Sequence, residues 1–158
     1  MEKPKMEKEK REYWGNQGSG IILQAEDTCN FLLSKRSAYV NEPNTIGNIG
    51  GRIEEGETNK EGAIRELSEE TDIQINKDSL EELSIYKDDD KFIYTTFIAE
   101  IPKEIPIQKH TWENDEFLWV SLNEMKALPN KHFGLQYILE HASDKLSELT
   151  TKCKKQRK

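Results

Sequence analysis

The sequence predicts an α/β sandwich, in which a sheet of mixed strand directions packs against helices. Two observations favour this class. Short runs of β-branched and aromatic residues alternate with turn-forming residues, and two longer segments have apolar residues at helical spacing. One helical segment lies in mid-chain and is rich in glutamate, and the other lies near the end of the chain. The 158 residues suit one domain and leave no room for a second full one.

The first half of the chain predicts a hairpin followed by a glycine-rich strand. Residues 20–23 and 31–33 are short apolar runs on either side of the polar turn at 26–28. Proline and asparagine at residues 41–44 indicate a loop. Residues 47–53 then predict a strand whose glycines allow another backbone or a ligand to approach closely.

The second half predicts three strands and a final helix. Residues 92–99 are nearly continuous in β-branched and aromatic side chains, which indicates a strand covered on both faces. We expect its partner at residues 82–86, joined to it through the acidic turn at 87–91. A further strand is predicted at 117–120, and apolar residues at helical spacing predict a helix over 132–149.

Charge is distributed unevenly along the chain. Residues 1–11 carry a net charge of +2, and residues 152–158 carry a net charge of +5. Because the whole chain carries −7, the residues between these two segments carry −14. We interpret residues 1–11 and 151–158 as solvated, flexible charged tails around a folded domain at residues 12–150. An acidic body repels a polyanionic ligand unless a cation lies between them, which is the first indication of a metal.

Cellular location is predicted from what the sequence lacks. No apolar run approaches the ~20 residues that span a bilayer, and the Lys/Glu-rich beginning lacks the apolar centre of a signal peptide. Cys29 and Cys153 suggest neither a pairing framework nor a zinc site. We therefore expect a cytoplasmic protein with no membrane contact and no disulfide.

The glutamate-rich helix has a clear start. Thr58 followed by Glu61 forms a capping box, so the helix is predicted to begin just after Glu57 and to run over about residues 59–71. Ala63, Ile64, Leu67 and Thr71 share one face of this helix and can pack on a sheet.

Three glutamates project from the neighbouring face of that helix. Glu66, Glu69 and Glu70 stand at i, i+3 and i+4, where like charges repel each other. One interpretation is a solvated face relieved by Arg65 and nearby lysines. The other is an oxygen-rich cage that holds Mg²⁺ or Mn²⁺ beside the glycine-lined loop.

These residues resemble the Nudix box, the signature of the Nudix hydrolases. The matching residues are Gly51, Glu57, Arg65, Glu66, Leu67, Ser68, Glu69, Glu70, Thr71 and Ile73. The pattern departs at Asp72, where the family has a glycine just past the helix end. Aspartate is among the few other residues that adopt a left-handed backbone, so we expect slight strain and retained activity. The preceding strand pair and the Trp119–Val120 strand resemble those of MutT-like members.

The resemblance implies the Nudix fold, an α/β/α sandwich with a mixed central sheet, and Mg²⁺-dependent (or Mn²⁺-dependent) hydrolysis of a pyrophosphate bond in a nucleoside diphosphate linked to another group. By position in the motif, Glu69 and Glu70 are the expected principal metal ligands, and Glu66 is a further ligand or a base. Arg65, paired with Glu57, is expected to hold these glutamates in place.

Two further groups are expected at the metal site. The backbone carbonyl of Gly50 or Gly51 is a candidate ligand. The family often takes one more carboxylate from a loop before the Trp-Val strand. Glu113 is the best match for that carboxylate, as general base or added ligand, and Glu116 is the second; an acidic solvent loop is the alternative for both.

Substrate recognition is less well defined by the sequence. The predicted substrate-binding residues are Tyr39, Arg52, Asn130 and His132, and Phe31 and Trp112 are further aromatic candidates. In MutT-like members an asparagine near the last helix contacts the base, and Asn130 stands at a similar place. Core packing is the alternative for the two aromatic candidates, and helix capping is the alternative for Asn130 and His132.

Three functional hypotheses follow. The first is an enzyme that cleaves a small nucleotide, such as an oxidised dNTP or ADP-ribose. The second is a decapping enzyme that acts on mRNA through the basic residues 152–158. The third is a Nudix-fold module that binds a nucleotide without cutting it. Dimers are frequent in the family, so a homodimer is possible.

Overall fold

The structure, a computed structural model, describes residues 17–39, 42–109, 111 and 113–157, and a seven-stranded sheet lies at its centre. The strands are β1 (Gln17–Ala25), β2 (Phe31–Arg36), β3 (Ile46–Gly47), β4 (Ile49–Arg52), β5 (Glu81–Lys87), β6 (Ile93–Ile101) and β7 (Asn114–Val120). The helices are α1 (Asn59–Thr71), α2 (Leu122–Ala127) and α3 (Phe133–Gln156), with a short 3₁₀ helix at Lys77–Ser79. The predicted tail at residues 1–11 lies outside the described residues.

The sheet is mixed, as the sequence predicted. Its main order is β3-β2-β1-β6-β5, with β4 also paired to β1 and β7 to β2. Strand β1 runs parallel to β6 along its whole length, whereas the other pairs are antiparallel. The two predicted hairpins, β1–β2 and β5–β6, are both present. The predicted glycine-rich strand is divided into β3 and β4, which pair with different neighbours.

Helices cover both faces of this sheet because its central strands are apolar on both sides. Ile21 of β1 packs into a core with Leu67 of α1. The next residue, Ile22, points to the opposite face and packs with Leu135 and Ile138 of α3. This arrangement confirms the α/β/α sandwich.

The final helix is longer than the sequence predicted. We expected it to end near Leu149 and residues 151–158 to form a flexible tail, but α3 continues to Gln156. Leu146 and Cys153 are buried on its inner side. Residues 151–156 are therefore helical and belong to the packed structure.

The prediction that the cysteines are unpaired is wrong. Cys29 and Cys153 form a disulfide with a Cα–Cα distance of 5.8 Å across 124 residues of sequence. The β1–β2 turn meets the last turns of α3 here, and the side chain of Gln24 donates hydrogen bonds to the carbonyls of Cys29 and Leu149 at 3.2 and 3.5 Å. Spacing alone could not reveal this pair, because the fold brings the two ends together. Disulfides persist mainly in oxidising compartments, so the cysteines no longer support the predicted cytoplasmic location.

Among the described residues, every helix is too short or too polar to cross a bilayer.

Replacing Cys153 by serine should reduce the free energy of unfolding by about 2–5 kcal/mol, because the crosslink closes a long loop in the unfolded chain. Urea denaturation followed by circular dichroism measures this loss. The parent protein treated with a reductant should match Cys153→Ser, and the variant should not respond to the reductant. An unchanged urea midpoint after reduction of the parent would contradict the prediction.

Candidate active site

The glutamate-rich helix α1 starts where the capping box predicts. The amide of Glu61 donates to Thr58 Oγ1 at 3.2 Å, and the amide of Thr58 donates to Glu61 Oε1 at 2.9 Å. Ala63 and Leu67 are fully buried against the sheet. Since the face that carries these two residues is fixed, the direction in which the remaining side chains of α1 point is fixed as well.

Arg65 connects the start of α1 to its glutamates. Its Nε and Nη2 donate to the two carboxylate oxygens of Glu57 at 2.7 and 3.1 Å, and Nη2 also reaches the carbonyl of Arg52 at 2.9 Å. Nη1 donates to Glu66 at 3.1 Å and to Glu69 at 2.8 Å. Burial lowers the Arg65 pKa, but the Glu57 hydrogen bond and the glutamate charges outweigh it and raise the pKa above its usual value. Arg65 is thus a fixed cation at the base of the site.

Glu70 is buried in the interior, and Glu66 beside it is partly buried. Glu70 is only 5% exposed, and its Oε1 accepts a 2.6 Å hydrogen bond from Asn114 Nδ2. Its Oε2 is buried and receives no hydrogen bond from the part of the chain that the structure describes. Glu66 lies over β4 so closely that a Cβ on residue 51 would stand 2.5 Å from Glu66 Oε1. A side chain at residue 51 would therefore displace the carboxyl of Glu66.

The buried carboxylates repel each other. Burial, the charge of Glu66 and the charge of Glu113 raise the pKa of Glu70 well above its usual value. Burial also raises the pKa of Glu66, and the nearby charge of Arg65 offsets this only in part. A site that concentrates negative charge away from water is suited to bind a cation.

On the side of β4 that faces away from Glu66, Gly50 lies close to Gly20 of β1 and to Tyr94 of β6. Asn48, which precedes β4, lies on the same side. The hydroxyl of Tyr94 accepts a 3.1 Å hydrogen bond from Asn48 Nδ2. It lies so close to the backbone that a Cβ on Gly50 or on Gly20 would overlap with it. Burial raises the Tyr94 pKa, and Glu66 and Glu70 raise it further, so this hydroxyl keeps its proton. The sequence predicted residue 94 only as part of a buried strand, and its spacing gave no signal that Tyr94 would lie near Glu66 and Glu70.

The donor set fits a hard divalent cation. Mg²⁺ and Mn²⁺ prefer oxygen ligands. The site offers Oε2 of Glu70, which lacks a hydrogen-bond donor, the adjoining carboxyl of Glu66 and the backbone carbonyls of the glycine-containing strand β4. Within residues 17–39, 42–109, 111 and 113–157, no three His, Cys, Asp or Glu side chains are grouped closely enough to hold a metal ion. Arg65 engages Glu66 and Glu69 instead.

Comparison with known proteins decides the family. A family model described as the NUDIX domain matches residues 16–142, which is more than half of the chain. The chain belongs to the Nudix family.

Two curated relatives and one solved structure illustrate the similarity. A Mycobacterium tuberculosis protein, named provisionally as 8-oxo-dGTP diphosphatase 3, is 29% identical over 126 residues, covering 74% of this chain and 58% of the relative. A Bifidobacterium longum nucleoside triphosphate pyrophosphatase/Nudix hydrolase fusion protein is 32% identical over 130 residues, covering 77% of this chain and 26% of the fusion. The chain thus spans about half, or less, of these relatives. The NUDIX domain of Shewanella oneidensis NrtR, crystallised with ADP ribose, has a TM-score of 0.64 at 21% identity, covering 83% and 88% of the two chains, and supports the fold.

The departure from the Nudix box at Asp72 has the predicted backbone. Asp72 ends α1 in the left-handed region, with a φ of 67°, and its amide donates to the carbonyl of Ser68 at 2.9 Å. Lys109 Nζ lies 3.1 Å from Asp72 Oδ1. Aspartate therefore performs the capping that glycine performs in the family pattern.

The other acidic residues predicted for the site, Glu69, Glu113 and Glu116, differ in position. Glu113 is close enough for its charge to act on Glu70. Glu116 is exposed and lies opposite Lys35 in the β2–β7 pair. Glu69, at 56% side-chain exposure, lies at the outer edge of the cluster, beside Arg65. The structure thus brings Glu113 to the cluster and leaves Glu116 outside it.

The predicted substrate residues lie in two places. Asn130 and His132 hold the segment before α3: Asn130 Nδ2 donates to the carbonyl of Asn44 at 2.7 Å, and His132 Nε2 lies 3.0 Å from Glu42 Oε2. His132 is the N-cap of α3, since its Nδ1 accepts from the Gly134 amide, so capping applies to His132 and not to Asn130.

The other candidates are separate from that segment. The guanidinium of Arg52 lies 5.0 Å from the centre of the Phe92 ring. Tyr39 is 48% exposed, and Phe31 is fully buried in the core. Trp112 lies outside the described residues.

In metal-free protein at neutral pH, Glu70→Gln should raise the thermal unfolding midpoint, because a neutral amide removes the repulsion with Glu66. The pKa of Glu70 is raised in the folded state, so the ionised side chain lowers the free energy of unfolding at pH values above that raised pKa. This destabilisation disappears as the pH falls below the usual value of 4.5. Each kcal/mol relieved shifts the midpoint by about 2–4 °C.

Calorimetry in EDTA at pH 7 and at pH 4 measures this effect. The variant should gain stability at pH 7 and lose that advantage at pH 4. Glu140→Gln, on an exposed position of α3, is the matched control and should change neither midpoint. A lower midpoint for Glu70→Gln at pH 7 would show that the Glu70 charge is compensated within the fold.

Proposed function

We propose that the chain is a pyrophosphohydrolase that cleaves a phosphoanhydride bond in a small nucleoside di- or triphosphate-linked substrate with Mg²⁺ or Mn²⁺. The observation that carries this proposal is the buried carboxylate of Glu70 beside the partly buried Glu66, with the donor-free Oε2 of Glu70. A purely structural core would not keep two such carboxylates together, because burying like charges is costly.

The proposed roles follow from position. Glu66, Glu69, Glu70 and the carbonyl of Gly51 would hold the cation, which supplies charge neutralisation for phosphate oxygens and Lewis-acid activation of water. Glu57 fixes Arg65 through two hydrogen bonds, and Arg65 keeps the glutamates from turning to solvent.

Glu113 is our candidate for the general base. Its charge already acts on Glu70 across the gap between α1 and the loop before β7. It would accept the proton of the attacking water as the new P–O bond forms and the bridging P–O bond breaks, releasing a nucleoside monophosphate and the remaining phosphorylated group.

A small nucleotide suits this site better than capped RNA. The cluster lies near residues 18–20 of β1, whereas the basic turns of α3 are attached by the disulfide at the Ala25 end of that strand. Ser19, which pairs with Gly51, lies roughly 20 Å from Ala25 at about 3.3 Å per residue of extended strand. RNA held by Lys152 and Lys155 would have to cross this distance to reach the glutamates.

The substrate class is proposed as an oxidised dNTP or ADP-ribose type of nucleotide. The name of the Mycobacterium tuberculosis relative supports the first, and the ADP ribose in the Shewanella oneidensis NUDIX domain supports the second. We propose that Tyr39, Arg52, Asn130 and His132 contribute to recognition of the nucleoside. A homodimer remains a prediction from the family.

The decisive test is a substrate panel with the parent protein and Glu70→Gln. The panel offers oxidised and normal dNTPs, ADP-ribose, dinucleoside polyphosphates and a capped RNA, each with Mg²⁺ or Mn²⁺. One small nucleotide should be turned over fastest by the parent, and Glu70→Gln should reduce that rate by more than about 100-fold, because a cation ligand is lost.

Glu140→Gln is the control in this test and should keep the parent rate. Parent protein that binds a panel nucleotide but cleaves none would instead favour the non-catalytic module. Glu70→Gln protein with the parent rate would remove the site assignment.

A further inference from the structure

Strand β7 contains an irregularity beside the acidic cluster. Lys35 of β2 is paired with Glu116, and the next residue, Arg36, is paired with Asn114. Residue 115 is therefore an extra residue on β7, as in a β-bulge. Such an insertion reverses the alternation of side chains for the residues that precede it.

The bulge decides which side chain of β7 faces α1. Phe117 packs with the core on the α1 side, and Trp119 does the same. Regular alternation would continue that face through residues 115 and 113 and would turn Asn114 to the other side. The extra residue places Asn114 on the α1 side instead, where its side chain meets Glu70.

The Asn114 amide is held in one orientation. It is 6% exposed, and its Nδ2 donates to Glu70 Oε1 at 2.6 Å and to Thr111 Oγ1 at 3.3 Å. An ionised carboxylate can only accept hydrogen bonds, so the NH₂ group and not the amide oxygen must face Glu70. The loop is fixed as well, since the amide of Glu113 donates to Thr111 Oγ1 and the amide of Ser37 donates to the carbonyl of Glu113.

We propose that Asn114 is a positioning residue for the cation site. By occupying Oε1 of Glu70 it fixes the rotation of that carboxylate and leaves the buried Oε2 as the oxygen that binds the divalent ion. This inference rests on the proposed function, because it assumes that Glu70 is a cation ligand. Hydrogen-bond donors to ligand carboxylates commonly change metal affinity by about 10–100-fold.

The test uses Mn²⁺ alone, with free Mn²⁺ measured by electron paramagnetic resonance. Asn114→Leu keeps the volume and removes the donor, and it should weaken Mn²⁺ binding by about tenfold or more. Asn114→Gln keeps an amide donor and should recover part of the affinity. The lost turnover of Asn114→Leu should return as Mn²⁺ is raised, with KM for the nucleotide unchanged.

The matched control is Asn30→Leu. Asn30 Nδ2 donates to Glu104 Oε2 at 2.9 Å, so this variant removes the same type of contact away from the acidic cluster. Its Mn²⁺ affinity should equal that of the parent. Should Asn114→Leu fail to fold, Asn114→Ser removes the amide with a smaller side chain and should show the same loss.

The outcomes separate this inference from the proposed function. If the parent binds Mn²⁺, Glu70→Gln does not, and folded Asn114→Leu binds as tightly as the parent, the positioning role is overturned and the site stands. If the parent protein itself binds no Mn²⁺, both fail. Equal losses in Asn114→Leu and Asn30→Leu would show a general effect on the fold and would also overturn the role.

Discussion

The burial of Glu70 beside the partly buried Glu66 is the constraint on which the rest of the site depends. Helix α1 must bury Ala63 and Leu67 to pack on the sheet, and this rotation carries Glu70 into the interior with them. Desolvation then disfavours the charge on Glu70, and the charge on Glu66 adds to the penalty. Charged groups in contact with these carboxylates therefore become important, and Arg65 supplies a fixed cation beside Glu66.

Glycines in β4 let both faces of one strand take part in this arrangement. Gly51 leaves room for Glu66 on the α1 side, and Gly50 leaves room for the Tyr94 hydroxyl on the other. A methyl group at either position would push one of these groups out of place. The backbone of β4 is thus close to polar side chains from two different elements.

What could be predicted from the sequence follows from the range of each interaction. The capping box, the i, i+3, i+4 glutamates and the left-handed backbone at Asp72 are local, so the motif predicted each correctly. The contact of Asn114 with Glu70 depends on an extra residue in the register of two strands, which no periodicity shows. The disulfide depends on the meeting of the first turn and the last helix, and sequence spacing carries no such information.

The two ends of β1 serve different purposes, and this explains why a charged site can exist in so acidic a chain. At the Ala25 end, the disulfide and the buried Gln24 attach α3 to the sheet through the β1–β2 turn. At the Gln17 end, β1 pairs with the glycine strand that lies beneath the glutamates. Interactions this far apart contribute nearly independently to the free energy of unfolding. Stabilisation at the Ala25 end of β1 can therefore offset the carboxylate repulsion at the Gln17 end without changing the geometry of the acidic cluster. Selection on the residues at the Gln17 end can then favour cation binding over stability.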